Sequence, residues 1–386
     1  MTDPLRIGLV AHGELGGSGV VAIDLAVALA ARGHEVHVIA PRRPFRLSEG
    51  SRVEVHELPD LDHAMWDAPP WSLALASRIV DVARTADLDV LHAHFAVPYA
   101  IATEQACRVL GADAPPWIAT LHGSDVVPLG CDPAYAPLVR HALAQADAVT
   151  TPSAHLRDLA ERHLVSRAIE VVPNFVDGER FRPGPSRRPP SMTEPVLVHA
   201  SSFRSVKRVG DVVKVFARVA SSTSARLMLL GDGPERDAAL QELMRLGLRA
   251  RVDAPGAQQR VEQWLRRAHV ALLPSERESF GLAALEALAA GIPVVGTEVG
   301  GLPEVVVSDT MGYLGAVGDV DAMAEVTLEI LRDDDRWRAM AEAARAHAVG
   351  QFSPEAAVGA YEALYRRCVD APLERLLVSV PRSAPP

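Results

Sequence analysis

The sequence predicts an α/β protein of two doubly wound, parallel-sheet domains that face each other across a cleft. Three observations carry this expectation. At 386 residues the chain is long for one hydrophobic core, and its 48% hydrophobic content is ample for two. Apolar segments alternate with helical patterns in both halves, as parallel sheets require. Between the halves the rhythm stops at a Pro-rich, basic stretch poor in apolar residues, Arg180 to Met192, which reads as a linker.

The first domain, residues 1–178, opens with a strand from Arg6 to Val10, a Gly-rich loop from Gly13 to Gly19, a helix from Val20 to Ala31 and a strand from Glu35 to Ala40. Together these make a βαβ unit. Apolar segments at Val90 to Ala93, Ile118 to Leu121, Ala148 to Thr150 and Glu170 to Val172 extend the sheet. After a linker set at 179–192, the second domain (193–350) restarts the pattern with a strand from Val196 to Ala200, a helix from Gly210 to Val219 and a strand from Arg226 to Leu230, closed by a turn at Gly231 to Pro234. Strands at Val270 to Leu273 and Pro293 to Gly296 continue it. In such sheets ligands bind outside the carboxyl ends of the strands. The segment 351–370 reads as a last helix, and the tail 371–386 is expected to fray.

A formal charge of −10 and a pI near 5.8 argue against nucleic acid and against an anionic membrane surface, both of which favour basic faces. No uninterrupted apolar run approaches the ~18 residues of a membrane span, and the start Met1 to Pro4 lacks the basic and apolar regions of a signal peptide. A cytoplasmic protein without stable membrane association is therefore expected. Cys107, Cys131 and Cys368 lie far apart without metal-site spacing and read as reduced thiols.

The stretch Ser275 to Glu286 is the most informative. Pro274 and Ser275 end a buried strand, and Gly281 to Ala290 has the Ala/Leu/Glu content of a helix, so Glu278 falls in a loop and Glu286 in the helix. Between them the backbone N–H groups of Phe280, Gly281 and Leu282, with Ser279 beside them, lie at the positive end of the helix dipole, where an anion or a hydroxyl cluster fits. An ionised carboxylate only accepts hydrogen bonds, so Glu286 could clamp neighbouring ribose hydroxyls and Glu278 the hydroxyls of a sugar. The plainer alternative is two glutamates kept for the dipole and for solubility.

Other loops add to this one. Gly16, Gly17, Ser18 and Gly19 join the first strand to its helix, where glycine permits close backbone approach to a ligand. Gly17 to Ala22 also satisfies a dinucleotide fingerprint. The glycines, however, come six or more residues after Val10, and the second strand ends Ile39–Ala40–Pro41 without the acidic residue expected for a ribose, which counts against a nicotinamide enzyme. Phe203 to Arg208 follows the first strand of the second domain, so Arg204 and Lys207 are the natural diphosphate partners: a planar fork and a compact point charge. His122 follows an apolar strand directly, and a structural role competes with a place in the cleft. His92 and His94 alternate along a strand so that both rings could face one side, but no third ligand is evident and no metal is expected.

Taken together these residues resemble the retaining family 4 glycosyltransferases of two-Rossmann-domain (GT-B) architecture, in the large group marked by two glutamates separated by seven residues, which Glu278 and Glu286 fit. The resemblance runs from Ile7 to about Tyr365. It includes Gly16 to Gly19, His122 to Asp125, Pro173 to Phe175, Arg204 to Arg208, Gly231 to Pro234 and Val299 to Glu304. Within the family the chain is similar to members that move N-acetylglucosamine from UDP-GlcNAc to the hydroxyl of L-malate, the first step of bacillithiol synthesis. The resemblance implies a last helix that returns to the first domain, UDP-GlcNAc as donor substrate, L-malate as acceptor and no required cofactor. It also implies retention without a covalent enzyme intermediate: the acceptor attacks the face that the diphosphate leaves, and a phosphate oxygen takes its proton. His122, Arg204, Lys207 and Glu278 would be catalytic. Gly16, Gly17, Arg204, Lys207, Ser279, Phe280, Gly281, Leu282 and Glu286 would bind the donor, and Ser18, Thr120, Arg140 and Asn174 the acceptor.

Two stretches, His94 to Tyr99 and Ala254 to Gln259, depart from the closer pattern and leave fine specificity open. A homodimer is compatible with the sequence. The alternatives are another small or lipid acceptor, a UDP-sugar epimerase or hydrolase, and a nicotinamide dehydrogenase.

Overall fold

The computed structural model describes residues 3–371 apart from 14–15, 48–49, 60, 62–68, 186, 188 and 193. Beyond Ala371 the tail expected to fray lies outside the described residues. Seven strands form one sheet: β1 Arg6–Val10, β2 Glu35–Ala40, β3 Val53–Glu57, β4 Val90–His94, β5 Trp117–Thr120, β6 Ala148–Thr151 and β7 Glu170–Val171. Six form a second: β8 Val196–Ala200, β9 Arg226–Leu230, β10 Val252–Gly256, β11 Val270–Leu273, β12 Val294–Thr297 and β13 Gly312–Gly315. Every pairing is parallel, in the orders β3-β2-β1-β4-β5-β6-β7 and β10-β9-β8-β11-β12-β13. The central strands β4, β5, β6, β11 and β12 are buried along their whole length, as helices on both faces demand.

These orders decide where ligands can go. In each sheet the strand order reverses once, between β1 and β4 and between β8 and β11, so connections leave in opposite directions and a crevice opens at the carboxyl ends. The loops after β1, β8 and β11 flank those crevices, and they are the Gly-rich loop, the Arg204 loop and the Glu278 loop.

The last helix, Pro354–Asp370, starts where the Ser353 hydroxyl accepts from the Ala356 N–H. Its Val358, Tyr361, Leu364, Tyr365 and Cys368 repeat at helical spacing and bury against Leu5, Ile7, Leu25, Leu29 and Val172 of the first domain. Each large side chain there contributes roughly 1.5–3 kcal/mol. Arg32 closes the edge with a 2.6 Å ion pair to Glu362. The expected return to the first domain is thus formed by an apolar stripe.

Several elements differ from the sequence reading. The first helix begins at Gly17, a turn earlier than expected, because no residue from Gly17 onward blocks helical backbone. Strands β3, β10 and β13 were not expected. Val53–Glu57 is an edge strand with polar residues at every other position, Val252–Gly256 contains Pro255, and Gly312–Gly315 has glycine at both ends, so propensity is weak in all three. The stretch read as a linker packs on the second domain: Phe181 is buried, and the Arg187 guanidinium donates to the carbonyls of Ala268, Ala290 and Gly291 and lies over Trp337.

Candidate active site

The carboxyl ends of both sheets line a shared cavity of about 2000 Å³. Drug-sized ligand pockets measure ~300–1,000 Å³, so this one has room for two substrates together. On the second-domain wall, the Lys207 ammonium sits 2.6 Å from Glu278 Oε1, and the buried Ser275 hydroxyl donates to the same oxygen at 2.9 Å. Arg204 is exposed on the same rim and its Nε donates to Ser202 Oγ at 3.1 Å. The Glu278 loop is held from behind by the Gly301 N–H, which donates to the Glu278 carbonyl. Gly300, at φ +58°, approaches so closely that a Cβ there would stand 1.8 Å from that carbonyl oxygen. The helix Leu282–Ala289 starts at Gly281, whose left-handed backbone turns the loop into the helix, and Ser279, Phe280, Gly281, Leu282 and Glu286 all line the cavity.

Gly16, Gly17 and Ser18 face them from the start of the helix Gly17–Ala31. Two helix N-termini, one from each domain, therefore point their free N–H groups at one cavity. His122 and Gly123 complete the first-domain wall. The buried Asp125 carboxylate fixes their loop by accepting from the backbone N–H groups of His122, Gly123 and Ala96. Burial pushes the Asp125 carboxyl up, against those N–H groups. Burial also depresses His122 to about 3, so the ring that reaches the cleft is a neutral imidazole, 3.2 Å from His94.

Ion pairs cross between the domains. Arg46 donates to Glu286 at 3.0 Å and lies 3.8 Å from Asp24, while Arg180 lies 3.6 Å from Asp24 and donates to Glu262. Burial raises the Glu286 carboxyl, with Arg46 opposing. The Glu304 carboxylate caps the helix Ala154–His163 of the opposite domain, accepting from the N–H groups of Ala154 and His155 at 2.8 Å each. These contacts hold the two walls of the cleft in a closed arrangement.

The matches with known proteins cover both halves. The model for Glycosyltransferase Family 4 matches residues 15–180, and that for Glycosyl transferases group 1 matches residues 185–347. N-acetyl-alpha-D-glucosaminyl L-malate synthase from Bacillus anthracis is 40% identical over 371 residues, 94% of this chain and 96% of that one. The chain is a family 4 glycosyltransferase. D-inositol 3-phosphate glycosyltransferase from Xylanimonas cellulosilytica is 36% identical over 195 residues, 46% of each chain. Among solved structures, sucrose-phosphate synthase from Thermosynechococcus elongatus superposes with a TM-score of 0.78 at 21% identity, covering 95% of this chain and 99% of that one. Anabaena HepE in complex with UDP-glucose gives 0.77 at 21%, covering 94% and 100%. These two share the GT-B fold, and the present chain is a hexosyltransferase of that architecture.

The glycosyltransferase brings most of the expected site residues together, with two exceptions. Thr120 does not reach the cavity: its hydroxyl is buried 2.6 Å from His92 and 2.5 Å from Thr150, on the side of the sheet covered by the last helix. Thr120 is the last residue of β5, whereas His122 lies past the strand's end in the loop that Asp125 holds, so the two side chains do not share one setting. Arg140 is exposed on the helix Ala136–Gln145, where it donates to the His163 carbonyl, and it too lies off the cavity. Ser18 and Asn174 do line the cavity. The sequence reading missed Arg42, Arg277, His199 and Ser275, which also line it. Ser275 follows an apolar strand as His122 does, so the same strand-end signal could have found it; His199 lies inside β8, next to its last residue.

Proposed function

We propose that this glycosyltransferase moves N-acetylglucosamine from UDP-GlcNAc to the hydroxyl of L-malate with retention, opening bacillithiol synthesis. The observation that carries the reading is 40% identity along 94% of the chain to an enzyme of that name, with the cleft residues in place. The donor lies on the second domain. Arg204 and Lys207 take the diphosphate, assisted by the backbone of Gly16, Gly17 and Phe280 to Leu282; Glu278 and Ser279 orient the sugar; and Glu286 takes the ribose with its carboxylate while Arg46 steadies it. The malate hydroxyl attacks the anomeric carbon from the face the diphosphate leaves, the C–O bond to the phosphate breaks, and a phosphate oxygen receives the hydroxyl proton. Charge separates in this step, so preorganised donors are the main catalytic lever. His122, held neutral, donates or accepts a hydrogen bond beside the reacting sugar without adding charge.

Malate carries two carboxylates and needs cations as well as neutral donors. With Thr120 and Arg140 turned elsewhere, Ser18 and Asn174 remain as neutral donors, and Arg42 is the exposed cation on the first-domain wall. UDP release and product mass, measured with UDP-GlcNAc and L-malate, D-malate, inositol 1-phosphate or no acceptor, test the reading. A conjugate formed with L-malate alone supports it. UDP release without a malate conjugate moves the acceptor elsewhere, and no UDP release removes the donor.

A further inference from the structure

On the outer edge of the first sheet, away from the cleft wall, three potential ligands converge. His37 of β2 is paired in register with Glu54 of β3, and His56 follows Glu54 by two residues, so strand alternation puts all three on one face. His37 Nδ1 lies 3.0 Å from His56 Nε2 and 3.6 Å from Glu54 Oε2, and His56 Nε2 lies 3.5 Å from Glu54 Oε1. The distances between ligand atoms around a tetrahedral zinc with ~2.0–2.1 Å bonds are roughly 3.4 Å, and slightly under 3 Å for a right-angled pair. The three observed separations fall at or within a few tenths of an ångström of that range. His37 is buried, with its other nitrogen, Nε2, 3.1 Å from Glu35 Oε1. An N–H on Nε2 donating to that carboxylate leaves the Nδ1 lone pair facing His56 and Glu54, the arrangement in which an outer carboxylate orients a metal-binding histidine.

We propose that His37, His56 and Glu54 form a binding site for a divalent transition ion of the zinc class, oriented by Glu35, that fastens the edge strand β3 to β2. Two imidazoles and one carboxylate favour such an ion over magnesium or calcium, which prefer all-oxygen shells. The site is structural. It braces the strand whose last residue, Glu57, reaches the cavity wall and accepts from the Arg43 N–H at 3.0 Å. No metal is expected from the spacing of the cysteines or from His92 and His94, and this triad escapes such spacing because it is split between two strands.

The test is calorimetric titration of Zn²⁺ into the metal-free, tag-free full chain, with melting temperature followed in parallel. One ion per chain should bind and raise the melting temperature. Glu35→Gln should weaken binding by about 10- to 100-fold, the usual range for loss of an outer partner. His56→Gln and Glu54→Gln should abolish it while leaving the circular dichroism unchanged, and these partly exposed positions avoid dependence on the buried His37. Absence of binding to the unaltered chain overturns the proposal, as does affinity undiminished in His56→Gln.

Discussion

Gly123 and Ser279 mark the point where the two cleft walls meet. A Cβ built on Gly123 would stand 2.7 Å from the Ser279 Cβ, and φ there is +130°, a region side chains rarely adopt. Gly123→Ala should therefore lower both stability, by about 1–3 kcal/mol from backbone strain, and turnover, by obstructing the closed arrangement. Ser279→Gly in the same chain removes the clash but leaves the strained φ and takes away a group that orients the sugar, so neither turnover nor stability should return in full, as steady-state kinetics and thermal melting read together. Arg204 and Lys207 stand on the opposite wall. Loss of one such charge-stabilising donor costs ~3 to 4 kcal/mol at the transition state, so Arg204→Ala and Lys207→Ala should each cut turnover at least ~100-fold. Near-normal turnover in either variant removes that residue from the mechanism. Arg140 is the reverse case: it faces solvent beside His163, so Arg140→Met should leave the malate Michaelis constant unchanged. The motif positions at strand ends were legible because sheet chemistry fixes where such residues must lie. Thr120 and Arg140 were not, because the sequence does not say which face of a strand or helix the cleft takes.

The adjoining strands β4 and β5 and the last helix share a polar seam inside an apolar core. His92 lies 2.7 Å from the Tyr365 hydroxyl and 2.6 Å from Thr120, and its ring centroid is 4.1 Å from that of His94. Burial depresses His92 and His122 to about 3, and His199 to about 4. A histidine in the unfolded chain titrates near 6.5. The unfolded state therefore binds more protons between the two values, and stability is fully present above pH 6.5 and falls as pH drops toward 3. Each such ring contributes at most ~1.4 kcal/mol per pH unit across that window. Denaturant melts from pH 7.5 to 4.5 should show this loss, shallower in His92→Gln than in the unaltered chain. A stability that is flat over that range would contradict the buried neutral rings. The sequence placed His92 and His94 on one strand, yet Tyr361 and Tyr365, their partners from the chain's far end, carry no local signal of that meeting.

Across the whole molecule, a crossover-bearing chain builds one cleft from two sheets and then ties its last helix back onto the first. The fold class was legible because a repeated strand–helix rhythm admits few topologies. The edge strands escaped because short, polar or Gly-containing strands are set by pairing more than by propensity. The pairs across the cleft, Arg46 with Glu286 and Glu304 with the helix Ala154–His163, depend on domain placement that no local pattern encodes. The proposed reaction joins N-acetylglucosamine to malate in this cleft, on the face the diphosphate leaves. Proton NMR of the product formed from UDP-GlcNAc and L-malate tests it most directly, through the coupling between the anomeric proton and its neighbour. An α-linked N-acetylglucosaminyl malate, the configuration of the donor, is the expected product, and a β-linked product or free N-acetylglucosamine would overturn the proposed reaction.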